Sequence, residues 1–130
     1  MTAPLPEPVK RLLDEATFVT LTTLRADGTP HSTVMWADHD GDDIVFATVV
    51  GRLKEKHIRR DPRVSVSLFD PANPYAYTTI NGTATLDETG GKDLIQRLSH
   101  KYRGEPYTWD EGTGNVRVVV RVTPDHVYPS

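Results

Sequence analysis

The sequence feature that most constrains the fold is a series of short runs rich in β-branched residues, separated by turn sequences. Phe18 to Leu24 (FVTLTTL) is typical of a strand, and Val116 to Thr123 alternates strongly between two faces. Ala26-Asp27-Gly28-Thr29 and Asp40-Gly41-Asp42 are turn signals. Ile44 to Val50 (IVFATVV) predicts a strand that is buried on both faces. Further strands are predicted over 31–38, 64–68, 75–86 (with a bulge or bend near Gly82) and 126–128.

Three short helices interrupt these strands. Apolar residues recur at helical spacing over Glu7–Glu15, Leu53–Arg60 and Lys92–Arg103, and Gly104 is expected to end the third helix. The strands do not alternate regularly with helices, which argues against a doubly wound parallel sheet. The pattern predicts a mainly β chain: a small antiparallel β-barrel of six to seven strands with helical additions. We expect a single domain over residues 1–130, with a loose N-terminal segment over residues 1–6 that holds Pro4 and Pro6.

Composition excludes several classes of chemistry. The 130 residues include no cysteine, so disulfides, thiolate metal sites and a cysteine nucleophile are excluded. The five histidines lack the spacing of zinc or non-haem iron ligands, and we predict no metal site. The longest apolar runs, such as Ile44–Ala47 and Val118–Val120, are too short to cross a bilayer, and the N-terminus lacks a signal-like apolar run. We therefore expect a cytoplasmic protein without membrane contact.

The charge is distributed unevenly along the chain. The net charge is −3, yet the window from Arg52 to Arg63 holds six cations and two anions, so it carries +4 and the rest of the chain −7. The cations are Arg52, Lys54, Lys56, Arg59, Arg60 and Arg63. A compact basic site on an acidic protein favours a small anion as ligand, and we expect no nucleic-acid partner.

The start of this window has the properties of a phosphate site. A buried strand ends at Val50, Gly51 lets the backbone turn, and Arg52 and Lys54 follow near the N-terminus of a short helix. Free amides and the positive end of a helix dipole suit a phosphate there, and the Thr48 hydroxyl could donate to it. A solvated basic helix face explains the same charge run equally well.

Three stretches together resemble a known superfamily. They are the hairpin TLRADGTPHSTVMW, the strand IVFATVV and the run GRLKEKHIRRDPRVSVSLFD. They resemble the pyridoxamine 5'-phosphate oxidase-like split-barrel superfamily, which has the FMN-binding split-barrel fold, and most closely its branch of coenzyme F420 (deazaflavin)-dependent oxidoreductases. The resemblance extends from about residue 13 to residue 128. Its pattern is more specific for the superfamily than for the choice of cofactor.

The resemblance implies a cofactor site between two identical subunits, since a small barrel filled by its own side chains has no room for a tricyclic ring. It implies that the second strand faces the ring and that basic residues after the third strand hold the phosphate. Beside the ring it places Ser32, Val34, Met35 and Trp36. At the phosphate it places Thr48, Arg52 and Lys54, with Lys56 supporting it or reaching an acidic tail. For Arg59, Arg60 and Arg63 we favour ion pairs and helix capping.

Aromatic residues are further candidates for the pocket. Tyr75, Tyr77, Tyr107 and Trp109 could complete it from the partner subunit. For Tyr75 and Tyr77, packing is the favoured interpretation. Trp109 lies in a polar irregular region, where contact with cofactor or substrate and simple packing are equally compatible with the sequence.

The predicted function is that of an F420-dependent oxidoreductase, which transfers a hydride between reduced deazaflavin and a small conjugated organic substrate. In such chemistry the cofactor supplies the reactive atom and the protein supplies position and electrostatic field, so no catalytic residue is identified. Two alternatives stay open. One is an FMN-dependent oxidase or reductase of the same fold, and the other is a non-catalytic flavin- or deazaflavin-binding protein.

Overall fold

A computed structural model describes residues 2–130 and consists of one antiparallel seven-stranded sheet with three helices. The helices are α1 (Glu7–Asp14), α2 (Leu53–Arg60) and α3 (Gly91–Arg103). The strands are β1 (Val19–Leu24), β2 (Pro30–Met35), β3 (Asp38–Asp40), β4 (Asp43–Val49), β5 (Arg63–Asp70), β6 (Asn73–Asp87) and β7 (Arg117–Pro129). The mainly β prediction and all three predicted helices are confirmed.

The order of strands in the sheet is β2-β1-β5-β6-β7-β4-β3. The sheet is not closed, because β2 and β3 form its two edges. They are joined directly by Trp36 and Ala37, so the chain crosses from one edge to the other over two residues. This open sheet is the split barrel that we expected.

The crossing at Ala37 differs from the continuous strand predicted over 31–38. Side chains of α3 bind the Ala37 backbone: its N–H donates to the Tyr102 hydroxyl (3.0 Å), and its carbonyl accepts from Lys101 Nζ (2.6 Å). These contacts satisfy the main-chain groups that would otherwise need a neighbouring strand. The predicted strand therefore divides into β2 and β3.

The C-terminal strand also differs from its prediction. We expected strands over 116–123 and 126–128, but β7 continues without interruption to Pro129 along β6. The register between β6 and β7 shifts at Asn81/Gly82, which confirms the predicted bulge. A Cβ atom at Gly82 would lie 2.6 Å from the Thr123 carbonyl oxygen, so the close approach of the two backbones requires glycine.

Two apolar clusters flank the sheet. The larger fills the barrel interior with side chains such as Leu21, Phe46 and Val120, all of which are inaccessible to solvent. The smaller lies on the outer face of β4, where α3 packs through Ile95 and Leu98. Because both faces of β4 are covered, all its residues from Ile44 to Val49 are buried, as predicted.

The N-terminal segment was expected to be loose over residues 1–6, of which Met1 lies outside the described residues. The structure packs this segment at two points. The Ala3 N–H donates to the Pro124 carbonyl (2.8 Å), and Leu5 is buried in the barrel cluster while its N–H donates to Asp42 (3.1 Å). The prolines restrict the backbone without preventing burial of the leucine between them.

None of the helices within residues 2–130 has both the length and the apolar composition needed to cross a membrane.

Candidate functional site

A cavity of about 290 Å³ lies where the end of β2, the outer face of β4, α3 and the loop 104–116 meet. Its lining is mainly apolar and aromatic, with two arginines. The lining residues are Val34, Met35, Trp36, Ala47, Arg52, Ile95, Leu98, Tyr107, Trp109 and Arg117. Five of the nine residues that the sequence analysis assigned to a cofactor therefore line one cavity.

The floor of the cavity is made by α3. This helix packs Leu94, Ile95 and Leu98 against the outer-face side chains of β4 and β7. Its first residue, Gly91, approaches β7 so closely that an added Cβ would lie 2.3 Å from the Arg117 carbonyl oxygen. The glycine lets the helix start directly against the strand, and this fixes Ile95 and Leu98 over β4.

Aromatic rings form a connected wall. Trp36 stacks on Tyr102 with ring centroids 5.5 Å apart and an interplanar angle of 16°. Tyr107 meets Trp36 edge-on at 6.3 Å, and Trp109 meets Tyr107 edge-on at 5.1 Å. The guanidinium of Arg103 lies 4.3 Å from the Trp109 ring centroid. An aromatic wall of this kind offers both ring faces and ring edges to an aromatic ligand.

The loop that carries Tyr107 and Trp109 is held by a buried arginine. Arg117 donates to Asp110 (2.7 and 3.2 Å) and to the Tyr107 hydroxyl (2.7 Å), and it is 8% exposed. Hydrogen bonds from Arg117 lower the pKa of Asp110, burial opposes this, and Asn115 and the charge of Arg52 lower it further. Asp110 is therefore an anion that fixes the loop.

This loop adds to one prediction. Tyr107 and Trp109 were candidates to complete a pocket from the partner subunit, and both line a cavity of their own chain together with Arg52. Tyr75 and Tyr77 lie exposed on β6 and are absent from this cavity.

Three cations of the basic segment have no acidic partner within residues 2–130: Arg52, Lys54 and Lys56. Arg52 caps the N-terminus of α2 and lines the cavity. Lys54 is partly buried, and this burial together with the positive charge of Arg52 lowers its pKa. Lys56 is exposed on α2. Two unpaired cations side by side at a helix N-terminus form a site to which an anion is attracted.

The other three cations of the segment are already bonded. Arg59 donates to Glu55, Arg60 donates to the Leu24 carbonyl, and Arg63 donates to Asp61 (3.0 and 2.8 Å). The hydrogen bonds from Arg63 lower the pKa of Asp61 to about 2. These contacts match the structural role expected for the three arginines.

The second half of α2 is also anchored by its buried residues. Ile58 belongs to the barrel cluster, and His57 Nδ1 lies 2.8 Å from the Thr23 hydroxyl of β1. Burial lowers the pKa of His57, and the neighbouring His31, Arg60 and Arg25 act in the same direction. A neutral His57 packed against β1 keeps the helix, and with it the Arg52 turn, in place.

Thr48 and Ser32 lie apart from the cavity. Thr48 is 1% exposed and its hydroxyl has no partner in the described chain, but alternation along β4 turns it to the face opposite Ala47. The Ser32 hydroxyl lies 2.7 Å from that of Thr22 on the exposed face of β2, which it shares with Val34. Thr48 and Ser32 stay candidates for cofactor binding, but neither lines the cavity that Arg52 lines.

A larger groove of about 610 Å³ lies across β1, β5, β6 and β7. Its charged groups include Arg63, which is paired with Asp61, and Asp125, which accepts a hydrogen bond from Thr83. None of the predicted site residues lines it. We favour the smaller cavity because it joins an aromatic wall to Arg52, a cation without an acidic partner within residues 2–130.

One group of residues brings possible metal ligands together. Oxygen or nitrogen atoms of Asp14, Asp38 and His39 lie within 4.8 Å of one another. However, Arg97 lies 3.3 Å and Lys101 3.8 Å from Asp38 carboxylate oxygens, and His39 Nε2 already contacts Asp14 at 2.8 Å. Cations occupy the positions that a metal ion would need, and we assign no metal site there.

Comparison with known proteins gives the family. The model of the family described as "Pyridoxamine 5'-phosphate oxidase" matches residues 5–130, nearly the whole chain. The chain belongs to this family. The resemblance inferred from the three sequence stretches is thereby confirmed.

Solved structures agree with the family assignment. A structure named "F420 Reductase" is 30% identical, with a TM-score of 0.83, and the match covers 95% of this chain and 98% of that one. A conserved hypothetical protein from Mycobacterium tuberculosis is 26% identical, with a TM-score of 0.75 and coverage of 98% and 85%. A putative pyridoxamine 5'-phosphate oxidase from Listeria innocua is 24% identical, with a TM-score of 0.72 and 95% coverage of both chains; it supports the fold alone.

Sequence reasoning missed part of the lining of this member of the pyridoxamine 5'-phosphate oxidase family. Ile95 and Leu98 were recognised as the apolar face of a helix but not as a cavity floor, and Ala47 and Arg117 were not considered. Arg117 carried a usable signal. It shares the strand face of Val119, which packs under α3, and an arginine on a buried face needs acceptors nearby.

Proposed function

We propose that the protein is an F420-dependent oxidoreductase that transfers a hydride between reduced deazaflavin and a small conjugated organic substrate. The observation that carries this proposal is the junction of an aromatic cavity with unpaired cations at the start of α2. The 30% identity to a structure named as an F420 reductase favours this cofactor.

The residues present fit a phosphate-bearing cofactor. Arg52 and Lys54 are adjacent cations that no carboxylate within residues 2–130 neutralises, and burial makes the charge of Lys54 costly without an anion. A bound phosphate would accept hydrogen bonds from both and relieve their mutual repulsion. Lys56, one turn along the exposed side of α2, would be available to an acidic tail beyond the phosphate. The Thr48 hydroxyl is buried on the opposite face of β4 and is not counted among these donors.

The chain's own residues would orient the ring and exclude water. Val34, Met35 and Trp36 would contact the ring from β2, while Tyr107 and Trp109 cover the cavity from the loop. When bound in its reduced form, the deazaflavin supplies a hydride to an electrophilic carbon of the substrate. The accompanying proton would come from solvent or from a nearby donor in the lining.

A second copy of the chain would complete the site. A cavity of about 290 Å³ is at the lower end of the range for small-molecule sites, roughly 300–1,000 Å³, and is too small for a tricyclic ring with its phosphate tail and a substrate. Three apolar residues at the cavity or beside it are exposed in the single chain: Val34 at 67%, Leu53 at 58% and Trp109 at 60%. We propose a homodimer in which a partner covers this surface.

The alternative on the same fold is an FMN-dependent oxidase or reductase. The family name, that of an oxidase, favours it, and FMN ends at its phosphate, so it would need only Arg52 and Lys54. A non-catalytic binding protein would use the same contacts without turnover.

Equilibrium titration with F420 and with FMN tests these proposals. The chain's two tryptophans both line the cavity, so a bound ring should quench most of the intrinsic fluorescence. We expect tighter binding of F420 than of FMN. The double variant Arg52→Ala/Lys54→Ala should weaken binding about 100-fold or more, because charge-assisted hydrogen bonds contribute roughly 1.5–3 kcal/mol each.

The matched control is Arg60→Ala/Arg63→Ala, which removes the same charge from cations that already have partners. It should keep affinity within about threefold of the wild type, the size of a screened long-range effect. Equal losses in the two double variants would mean that the phosphate site is not at Arg52. Lys56→Ala distinguishes the two cofactors, because it should weaken the binding of F420 and leave the affinity for FMN unchanged.

Turnover and assembly are measured separately. Consumption of reduced F420 with a panel of conjugated acceptors tests the enzyme, and binding without turnover would favour the non-catalytic alternative.

Light scattering at micromolar concentration should give the mass of a dimer. A monomer there would contradict the shared site.

A further inference from the structure

The cavity is one of two chambers that share a wall. A second cavity of about 420 Å³ lies on the other side of Tyr107, between the start of α3 and the loop 104–116. Three residues line both cavities: Ile95, Tyr107 and Arg117. We propose that the Tyr107–Arg117 pair is a partition that limits the size of the molecule the first chamber accepts. The identity of that molecule as a substrate rests on the proposed function.

The partition is rigidly built. Arg117 Nη2 donates to the Tyr107 hydroxyl at 2.7 Å, and its guanidinium lies 4.9 Å from the centroid of the same ring. Asp110 neutralises the arginine through two hydrogen bonds, and Nη1 reaches the Ala47 carbonyl at 3.5 Å. A ring held at its hydroxyl and against a buried cation has little freedom to swing aside.

The backbone beneath the ring is held independently of the side chain. Gln96 on α3 donates to the Tyr107 carbonyl (2.8 Å) and accepts from the Tyr107 N–H (3.0 Å). Removing the tyrosine side chain therefore leaves the loop attached to the helix. It also leaves Arg117 paired with Asp110, so no buried charge loses its carboxylate.

The two chambers are lined by different side chains, so the wall has a consequence for selectivity. Aromatic rings and Arg52 line the first, whereas the second presents the polar groups of Lys92, Gln96 and Glu111 beyond Tyr107. With Tyr107 in place, a ligand in the first chamber must end at the ring. Without the ring, a longer ligand with a polar end could extend from Trp36 into the second chamber. Tyr107 is thus a specificity-determining residue for ligand length.

Two dyes of different size test the partition without cofactor or turnover. Anilinonaphthalene sulfonate (ANS) is small, and its covalent dimer (bis-ANS) is about twice as long. Energy transfer from Trp36 and Trp109 reports dye bound to the protein, and the dependence of the bis-ANS to ANS ratio on residue 107 identifies dye at the partition. The variants are Tyr107→Ala, which removes the ring, and Tyr107→Phe, which keeps the ring and loses only the hydroxyl. Tyr107→Leu removes less of the side chain and opens the partition less than Tyr107→Ala. Circular dichroism checks that each variant is folded.

We expect Tyr107→Ala to raise the affinity for bis-ANS relative to ANS by about fivefold or more, since forcing extra atoms into a filled space carries a penalty of that order. Tyr107→Leu should give a smaller rise, and Tyr107→Phe should match the wild type. An unchanged ratio in Tyr107→Ala would overturn the partition, as would the absence of energy transfer to either dye in that variant. Failure to bind F420 and FMN would instead overturn the proposed function and leave the dye ratio unaffected.

Discussion

The two halves of the basic segment 52–63 have the same number of cations but different surroundings. In the first half, Arg52, Lys54 and Lys56 have no acidic partner within the described chain. In the second half, every arginine donates to a carboxylate or a backbone carbonyl. The difference shows that a run of like charges contains two kinds of residue, those that stabilise the fold and those left available to a ligand.

The two acidic residues of the segment explain how the halves divide. Asp61 is two residues from Arg63, and Glu55 lies one helical turn before Arg59. The Glu55 carboxylate is buried and also accepts from the Gly51 N–H (3.3 Å) at the turn that carries Arg52. Glu55 therefore neutralises Arg59 of the second half while it shapes the backbone of the first.

The largest expected difference between the halves is in stability. Arg59→Ala leaves the buried Glu55 carboxylate without its cation, and we expect the Tm to fall by about 5 °C or more, as for other broken pairs with a buried member. Arg52→Ala removes a cation whose charge opposes that of Lys54, and the Tm should stay the same or rise slightly. Calorimetry at pH 7 measures both.

The control for this prediction is Arg59→Ala combined with Glu55→Gln, which removes the buried charge as well. It should recover part of the lost Tm. Equal destabilisation by Arg59→Ala and Arg52→Ala would remove the distinction between the two halves.

A smaller difference is expected in the response to inorganic phosphate. An anion that binds only the folded chain raises its Tm, by about 5 °C when phosphate is present at roughly ten times its Kd. We expect this rise in the wild type and in Arg60→Ala/Arg63→Ala, and its loss in Arg52→Ala/Lys54→Ala. A thermal melt with sodium chloride at matched ionic strength separates specific binding from screening. A rise that survives in Arg52→Ala/Lys54→Ala would place the anion elsewhere.

The smallest expected effects are on single pKa values, which carboxyl and lysine NMR titrations measure. The pKa of Asp61 should be about 2 and return toward 3.8 in Arg63→Ala. Because this folded-state pKa lies below the unfolded value, the pair contributes stability above about pH 4 and loses it as the pH falls toward 2. The contribution is small because both groups are exposed.

In the first half, removing the arginine raises the pKa of its neighbour in the same direction, but there it relieves a repulsion instead of breaking an ion pair. The pKa of Lys54 is lowered by burial and by Arg52, so Arg52→Ala should raise it toward its ordinary value without fully restoring it. An unchanged Lys54 pKa in that variant would mean that the two cations do not interact.

Much of the fold could be predicted because its elements have local signals. The valine alternation in β7, the buried run in β4 and the glycine that ends α3 at residue 104 are all visible in the chain. The break between β2 and β3 was not visible, because the groups that bind the Ala37 backbone are Lys101 and Tyr102, more than sixty residues away. Propensity along 31–38 is extended throughout, and only these distant side chains decide where the sheet edge ends.

The residues of the candidate site were also predicted only in part. The sequence and the resemblance identified Val34, Met35, Trp36, Arg52 and Trp109, and the structure brings these five to one cavity. They did not identify Arg117, and they offered Tyr107 only as a candidate from the partner subunit. Both residues belong to the surroundings of the loop 104–116, whose path depends on Gln96, Asp110 and Arg117 rather than on its own composition.

The sequence by itself determined most of the secondary structure, the family and the position of a basic segment after a buried strand. These properties depend on residues that are neighbours in the chain, through hydrophobic periodicity, turn residues and charge spacing. Only the tertiary structure decided which cations are paired, which face of β4 Thr48 occupies and which aromatic residues form one wall. Those outcomes depend on contacts between residues that are far apart in the sequence. A buried polar or charged group needs a hydrogen-bond or ion-pair partner, and the local sequence does not specify that partner.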